Sequence, residues 1–207
     1  MFRLIALALC GTLLSINTRA QQAETVQQAE NQQGSRVPPK VELSLSNDTL
    51  QLRYFTSGNK VGAASNSQAS AAIFVSEARD LVLSGDLLFP IDLDIAPVSI
   101  LLGPRAYAAL LEDENNDVMA LSVGAEVRVL IERSRGLAVV GHAFYAPDIL
   151  TFGSADNLTD LGARLEIRAT PRLVVFAGMR WFEFDLTDGS GKRTLQDEAF
   201  VGAGWQF

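Results

Sequence analysis

The sequence predicts an all-β protein, a transmembrane antiparallel up-and-down β-barrel of ten strands, with eight strands as the alternative count. Three observations predict it. From Val41 onward apolar residues recur with a period of two, the pattern of strands with two different faces. No segment after the first 20 residues is a long uncharged apolar run, as a membrane helix requires. The chain closes on EAFVGAGWQF, with Val201, Ala203, Trp205 and Phe207 on one face and Phe200, Gly202, Gly204 and Gln206 on the other. Soluble domains usually end in a polar, frayed tail instead.

The opening MFRLIALALCGTLLSINTRA has the layout of a secretory signal: Arg3 as a short basic region, a mostly apolar run from Leu4 to Ile16, and small residues at Thr18 and Ala20, the positions a signal peptidase inspects. That run is shorter than the about 20 residues of a membrane span. Cleavage after Ala20 is expected, an uncleaved anchor being the alternative. Cys10 follows Leu9 rather than a small residue, so it reads as part of the signal and not as a lipidation site. The rest of the chain has no cysteine, hence neither a disulfide framework nor a thiolate metal site. Loss of Arg3 and Arg19 from 17 basic residues leaves 15 against 24 acidic ones, a formal −9. This excludes a basic nucleic-acid surface. Residues 21–40 are Gln-rich and contain Pro38-Pro39; they read as a disordered periplasmic lead-in, with the barrel occupying 41–207.

Strands are expected at 41–46, 49–56, 69–77, 80–90, 98–110, 117–131, 137–145, 158–169, 173–186 and 197–207. The first boundary comes from a change of parity: Val41, Leu43 and Leu45 are odd, whereas Leu50, Leu52 and Tyr54 are even. A continuous strand would place the two sets on opposite faces. A two-residue hairpin at Asn47-Asp48, residues that tolerate positive φ, pairs Leu45 with Leu50, Leu43 with Leu52 and Val41 with Tyr54. The eight-strand alternative bulges 41–56 and runs 70–90 as one strand. The third strand, AAIFVSE, has the poorest alternation.

The clearest strand is LTDLGARLEIRA, with Leu161, Ala163, Leu165, Ile167 and Ala169 on one face and Asp160, Gly162, Arg164, Glu166 and Arg168 on the other. Alternation of this kind fits a soluble sandwich or, inverted, a membrane barrel. The turns favour the barrel. Short connections at 132–136 and 170–172 alternate with the longer polar LEDENND, APDILTFGSADN and DGSGKRT, as short periplasmic turns alternate with long external loops. Counting back from a periplasmic C-terminus places Tyr54, Phe89, Trp205 and Phe207 near one membrane boundary and Tyr145 and Trp181 near the other, forming two interfacial belts.

The polar faces then point into the lumen. The expected charge network comprises Arg105, Glu126, Arg128, His142, Asp160, Arg164, Glu166, Arg168 and Arg180. Arg53, Glu42, Asp86 and Glu198 also face inward, giving six basic and six acidic inward residues beside His142. Ten strands enclose little space, and open aqueous channels belong to barrels of about 16 strands or more. Near-neutral pairing therefore predicts a plugged interior or, at most, a narrow pathway.

A final Phe207, Trp205 two places earlier and Gly202 resemble the C-terminal assembly signal of outer-membrane barrels; Phe200 departs from it where a polar residue is usual. More specifically, FYAPDIL (Phe144 to Leu150), LGAR (Leu161 to Arg164), AGMRWFEF (Ala177 to Phe184) and the terminal FVGAGWQF resemble the YfaZ-type outer membrane proteins. The resemblance implies a barrel of the Gram-negative outer membrane. It implies no activity and supplies no catalytic residues.

Candidate chemistry competes with plainer readings. His142, the only histidine, is expected opposite Glu126 with Ser122 nearby on the same face, a set from which a lipid deacylase could be built. A nucleophile acting on lipid needs access to the membrane face, so a hydrogen-bonded lumen histidine is the expectation. Glu112, Asp113, Glu114 and Asp117 offer oxygen ligands for a divalent cation but lack the glycine-turned spacing of a calcium loop. DGSGKRT lacks the first glycine and the final Ser or Thr of a phosphate loop. The sequence thus predicts a structural or surface-interaction barrel that is not an enzyme and has no cofactor. A narrow solute channel and a lipid-modifying barrel are the alternatives. Outer-membrane lipid, lipopolysaccharide and the barrel-assembly machinery are the expected partners.

Overall fold

A computed structural model describes residues 38–93, 96–112, 117–187 and 191–207. The expected signal peptide and nearly all of the lead-in lie outside the described residues, as do Asp113 and Glu114. Among the described residues there are eleven strands: β1 (Lys40–Leu45), β2 (Thr49–Ser57), β3 (Gln68–Ser76), β4 (Leu81–Ile91), β5 (Val98–Leu110), β6 (Asp117–Glu132), β7 (Leu137–Ala146), β8 (Thr151–Gly153), β9 (Ala155–Arg168), β10 (Leu173–Leu186) and β11 (Lys192–Gln206). Ten of them pair antiparallel with their neighbours in chain order, and β1 pairs with β11 to close the ring. Closure removes the sheet edges that an open membrane sheet could not satisfy. The short β8 stands outside the ring, paired with Val118–Ala120 of β6.

The ten-strand count holds, including β3, which is paired along its length with β2 and, from Gln68 to Val75, with β4. The first hairpin has the expected register: Leu45 opposite Leu50, Leu43 opposite Leu52 and Val41 opposite Tyr54. Its turn chemistry differs from expectation. Neither Asn47 nor Asp48 takes positive φ; among described non-glycine residues only Arg79 does, at 63°. The Ser46 amide instead donates to the Thr49 carbonyl at 2.9 Å, while the Ser46 hydroxyl bonds both the Thr49 hydroxyl and the Glu198 carboxylate.

Connections fall into two sets. One end of the barrel, the terminal end, carries Pro38, the C-terminal Phe207 and the turns at 58–67, 92–97, 133–136 and 169–172; the other, the loop end, carries those at 46–48, 77–80, 111–116, 147–154 and 187–191. In the C-terminal half the terminal-end turns are short, as predicted. The N-terminal half reverses the rule, with the longest terminal-end connection between β2 and β3 and a tight hairpin opposite.

Two strands begin earlier than expected, β9 at Ala155 and β11 at Lys192. The outer half of β11 pairs with β10 alone, because β1 ends opposite Val201. Freed from β1, it reaches over the short first hairpin, so that Arg193 meets Asp80 beyond β3 at 3.0 Å and Leu195 is buried.

The outward face is apolar all round: Leu43, Leu52, Ile73, Leu83, Leu102, Val123, Leu165 and Val201 are all exposed. A closed barrel with an apolar exterior is the architecture of outer-membrane proteins. Tyr54 stands opposite Val41, which is also opposite Trp205. With Phe89 and Phe207 they form the terminal-end belt, and all four are exposed. Tyr145 and Trp181 form the loop-end belt, which β8 extends with the exposed Phe152.

Candidate functional site

The inward faces of the strands build the candidate site in two layers. Toward the loop end, the inward residues are apolar. Phe74 of β3, Val82 of β4, Tyr107 of β5, Val118 of β6, Leu158 of β9 and Phe182 and Phe184 of β10 form one buried cluster with Leu195 of β11. Phe182 is the hub, with ring centroids 5.9 Å from Phe74, 5.5 Å from Tyr107 and 5.6 Å from Phe184. Above them Arg193 grips Asp80, which is 1 % exposed. Aromatics therefore share the interior with the expected charges. The alternation identified inward positions, but the aromatics on those positions pack against one another once ten strands surround them.

Below the cluster lies the charge layer, centred on Asp160, which is fully buried. Arg180 Nε donates to Asp160 Oδ1 at 2.8 Å, and Arg180 Nη2 to Oδ2 at 2.9 Å. Arg105 Nη1 donates to Oδ2 at 3.1 Å, and the Tyr107 hydroxyl does so at 2.7 Å. His142 Nε2 lies 3.2 Å from Oδ1. One carboxylate thus gathers groups from β5, β7 and β10. Arg105 also pairs with Asp86 at 2.9 Å and lies 3.7 Å from the centroid of the Phe144 ring. Such a cation over an aromatic face is favourable in a dry interior.

A second group lies nearer the terminal end. Glu42 accepts from Arg164 Nη1 at 2.9 Å and Nη2 at 3.2 Å, and pairs with Lys40 at 2.6 Å. Arg164 also meets Glu166 at 2.7 Å, and Arg128 bonds the same Glu166. These forked guanidinium–carboxylate contacts are the geometry in which arginine holds carboxylates most firmly.

The predicted network is therefore brought together in part. Arg105, Arg128, His142, Asp160, Arg164, Glu166 and Arg180 are connected. Glu126 and Arg168 face inward but make no ion pair among the described residues. His142 does stand opposite Glu126 in the β6–β7 register, yet its contact is with Asp160. The Ser122 hydroxyl donates to the Arg105 carbonyl at 2.9 Å, so the serine is not joined to the histidine. Lys40, Tyr107 and the Asp80–Arg193 clamp are additions; Tyr107 lay on an inward position of a predicted strand, which was the available signal.

Gly202 of the terminal signal has a packing reason. A Cβ there would lie 2.3 Å from the Phe176 ring and 2.5 Å from the Leu43 carbonyl oxygen. Trp205 and Phe207 remain on the exposed outer face.

The family model described as YfaZ precursor matches residues 6–207. The chain belongs to the YfaZ precursor family. The match runs through both lumen layers and the terminal strand, so the YfaZ assignment covers the whole candidate site. No curated protein matches. Among solved structures, the outer membrane protein Omp33 of Acinetobacter baumannii is similar at 12% identity and a TM-score of 0.37, covering 84% of this chain and 100% of that one.

Proposed function

We propose that this YfaZ barrel is a non-conducting element of the outer membrane, presenting its loop end at the cell surface and contributing to the envelope through structure and surface contacts. One observation carries the reading: a buried aromatic layer and a bonded charge layer are stacked along the lumen. The aromatic layer leaves Phe182, Phe184 and Leu158 with no exposed surface, and the Asp160 layer below it is bonded to four neighbouring side chains. Water-filled barrels of the porin kind have many more strands.

Planar-bilayer recording on protein extracted from the outer membrane tests this. Absence of discrete conductance steps supports the proposal. Steady steps overturn it in favour of a narrow channel, the second reading, which is favoured by a small internal cavity beside Gln51 and Arg53. A lipid-modifying activity has less support, because the Ser122 hydroxyl is engaged with a backbone carbonyl and fully buried. The proposed partners are lipopolysaccharide and phospholipid around the apolar wall and the assembly machinery at the terminal strand. The proposed targeting is by a cleaved signal of 20 residues.

A further inference from the structure

We propose that the lumen cavity beside Arg53 binds one small monovalent anion of halide size. The proposal goes beyond the non-conducting role and stands whether or not the lumen conducts.

The charge layer contains a cation with no ion-pair partner, whose guanidinium carbon lies 5.7 Å from the centroid of the Phe55 ring. Arg53 is 8 % exposed and makes no hydrogen bond or ion pair to any described residue; its Nε is buried and unsatisfied. Glu42, directly opposite on β1, is held by Lys40 and Arg164. Asp86 is held by Arg105. Asp86 and Glu42 attract Arg53 from these pairs, while Arg105 and Arg180 repel it. A charge removed from water without an ion-pair partner is strongly disfavoured even after the protein relaxes, so this guanidinium needs solvation or a counter-ion.

The space beside it suits an anion. Arg53 lines a cavity of about 40 Å³ together with Ser44, Gln51 and Gln196. Gln51 uses its carbonyl oxygen to accept from Arg180 at 2.8 Å, which leaves its amide hydrogens to donate. Gln196 is buried and makes no side-chain hydrogen bond to a described residue. The lining is therefore rich in donors; it also carries Arg164, Arg180 and two carboxylates, Glu126 and the Glu42 that Arg164 holds. At roughly 10–15 Å³ per water on this measure, the cavity has room for a halide and a water, or for waters alone. A sugar or an amino acid is too large. Water solvates Arg53, whereas an anion solvates and neutralises it.

Bromide is the probe. Crystals of protein extracted from the outer membrane, grown in sodium bromide, are expected to show an anomalous bromine peak within hydrogen-bonding distance of the Arg53 guanidinium. The heat-unfolding midpoint in detergent is expected to be several degrees higher in bromide than in equimolar gluconate, whose anion exceeds the cavity. Arg53→Met is expected to abolish that difference, and Arg53→Gln serves the same comparison where the methionine variant does not fold. No peak at Arg53 overturns the proposal in favour of water alone. A peak accompanied by the same salt difference in wild type and variant means an adventitious ion only, and also overturns it. Conductance, read separately, reports on the non-conducting role.

Discussion

Asp160 shows how much one side chain can organise in a narrow lumen. Its carboxylate neutralises Arg180 and Arg105 and accepts the Tyr107 hydroxyl in a space without bulk water. Removing one partner of such a set strands the others, at about 3–5 kcal/mol. Asp160→Asn is therefore expected to lower the temperature at which the unboiled protein loses its compact electrophoretic band by many degrees. Glu126→Gln, at a position without an ion-pair partner, is expected to move it little. An equal effect of the two would refute the hub. Gly202 poses a different residue-scale question, because the glycine of the terminal signal is also required by packing against Phe176. Gly202→Val is expected to block refolding into pure detergent, where no assembly machinery is present. Normal refolding there, with assembly lost only in cells, would assign the glycine to recognition instead.

At the scale of elements, most of the strand map was readable because lipid on one side and side chains on the other impose a period of two on nearly every strand. The parity break at residues 45–50 located the first hairpin for the same reason. The outer half of β11 was not readable. Lys192, Arg193 and Thr194 carry no alternation and follow a glycine-rich stretch, so they resemble a loop until Arg193 finds Asp80, 113 residues away in sequence. That extension depends on its clamp. Asp80→Asn is expected to raise amide exchange from Lys192 to Gln196 while leaving the β9–β10 ladder unchanged. Uniform acceleration throughout the barrel would show that Asp80 supports the whole fold and not this segment. Lys192 adds a smaller anchor, bonding Glu183 at 2.8 Å beside the Trp181 indole that donates to the same carboxylate.

For the whole molecule, the proposed non-conducting role makes the two lumen layers barriers in series, so that opening one leaves the other. Phe182→Ala with Phe184→Ala removes aromatic bulk worth about 3–5 kcal/mol per side chain, yet bilayer recordings should remain silent while the Asp160 layer is intact. Conductance from the aromatic variant alone would place the barrier entirely in the upper layer. The sequence identified which residues enter the lumen, since strand parity suffices for that. It did not reveal that charges and aromatics separate by height, because height depends on the shear of the closed ring. Asp160, Arg180, Arg105 and His142 become neighbours only when β5, β7, β9 and β10 are set in register around it.

The unequal strands have a consequence for the surrounding bilayer. Outward apolar residues span only Val41 to Leu45 on β1 but Met119 to Ile131 on β6. At about 3.3 Å per residue, the greasy band is far shallower along β1 than along β6 on the opposite wall. Lipid must compress on one side and stretch on the other, or the barrel must lean until the two demands balance. The protein is thus a wedge in the plane of the membrane, and its thin side lies along the first hairpin.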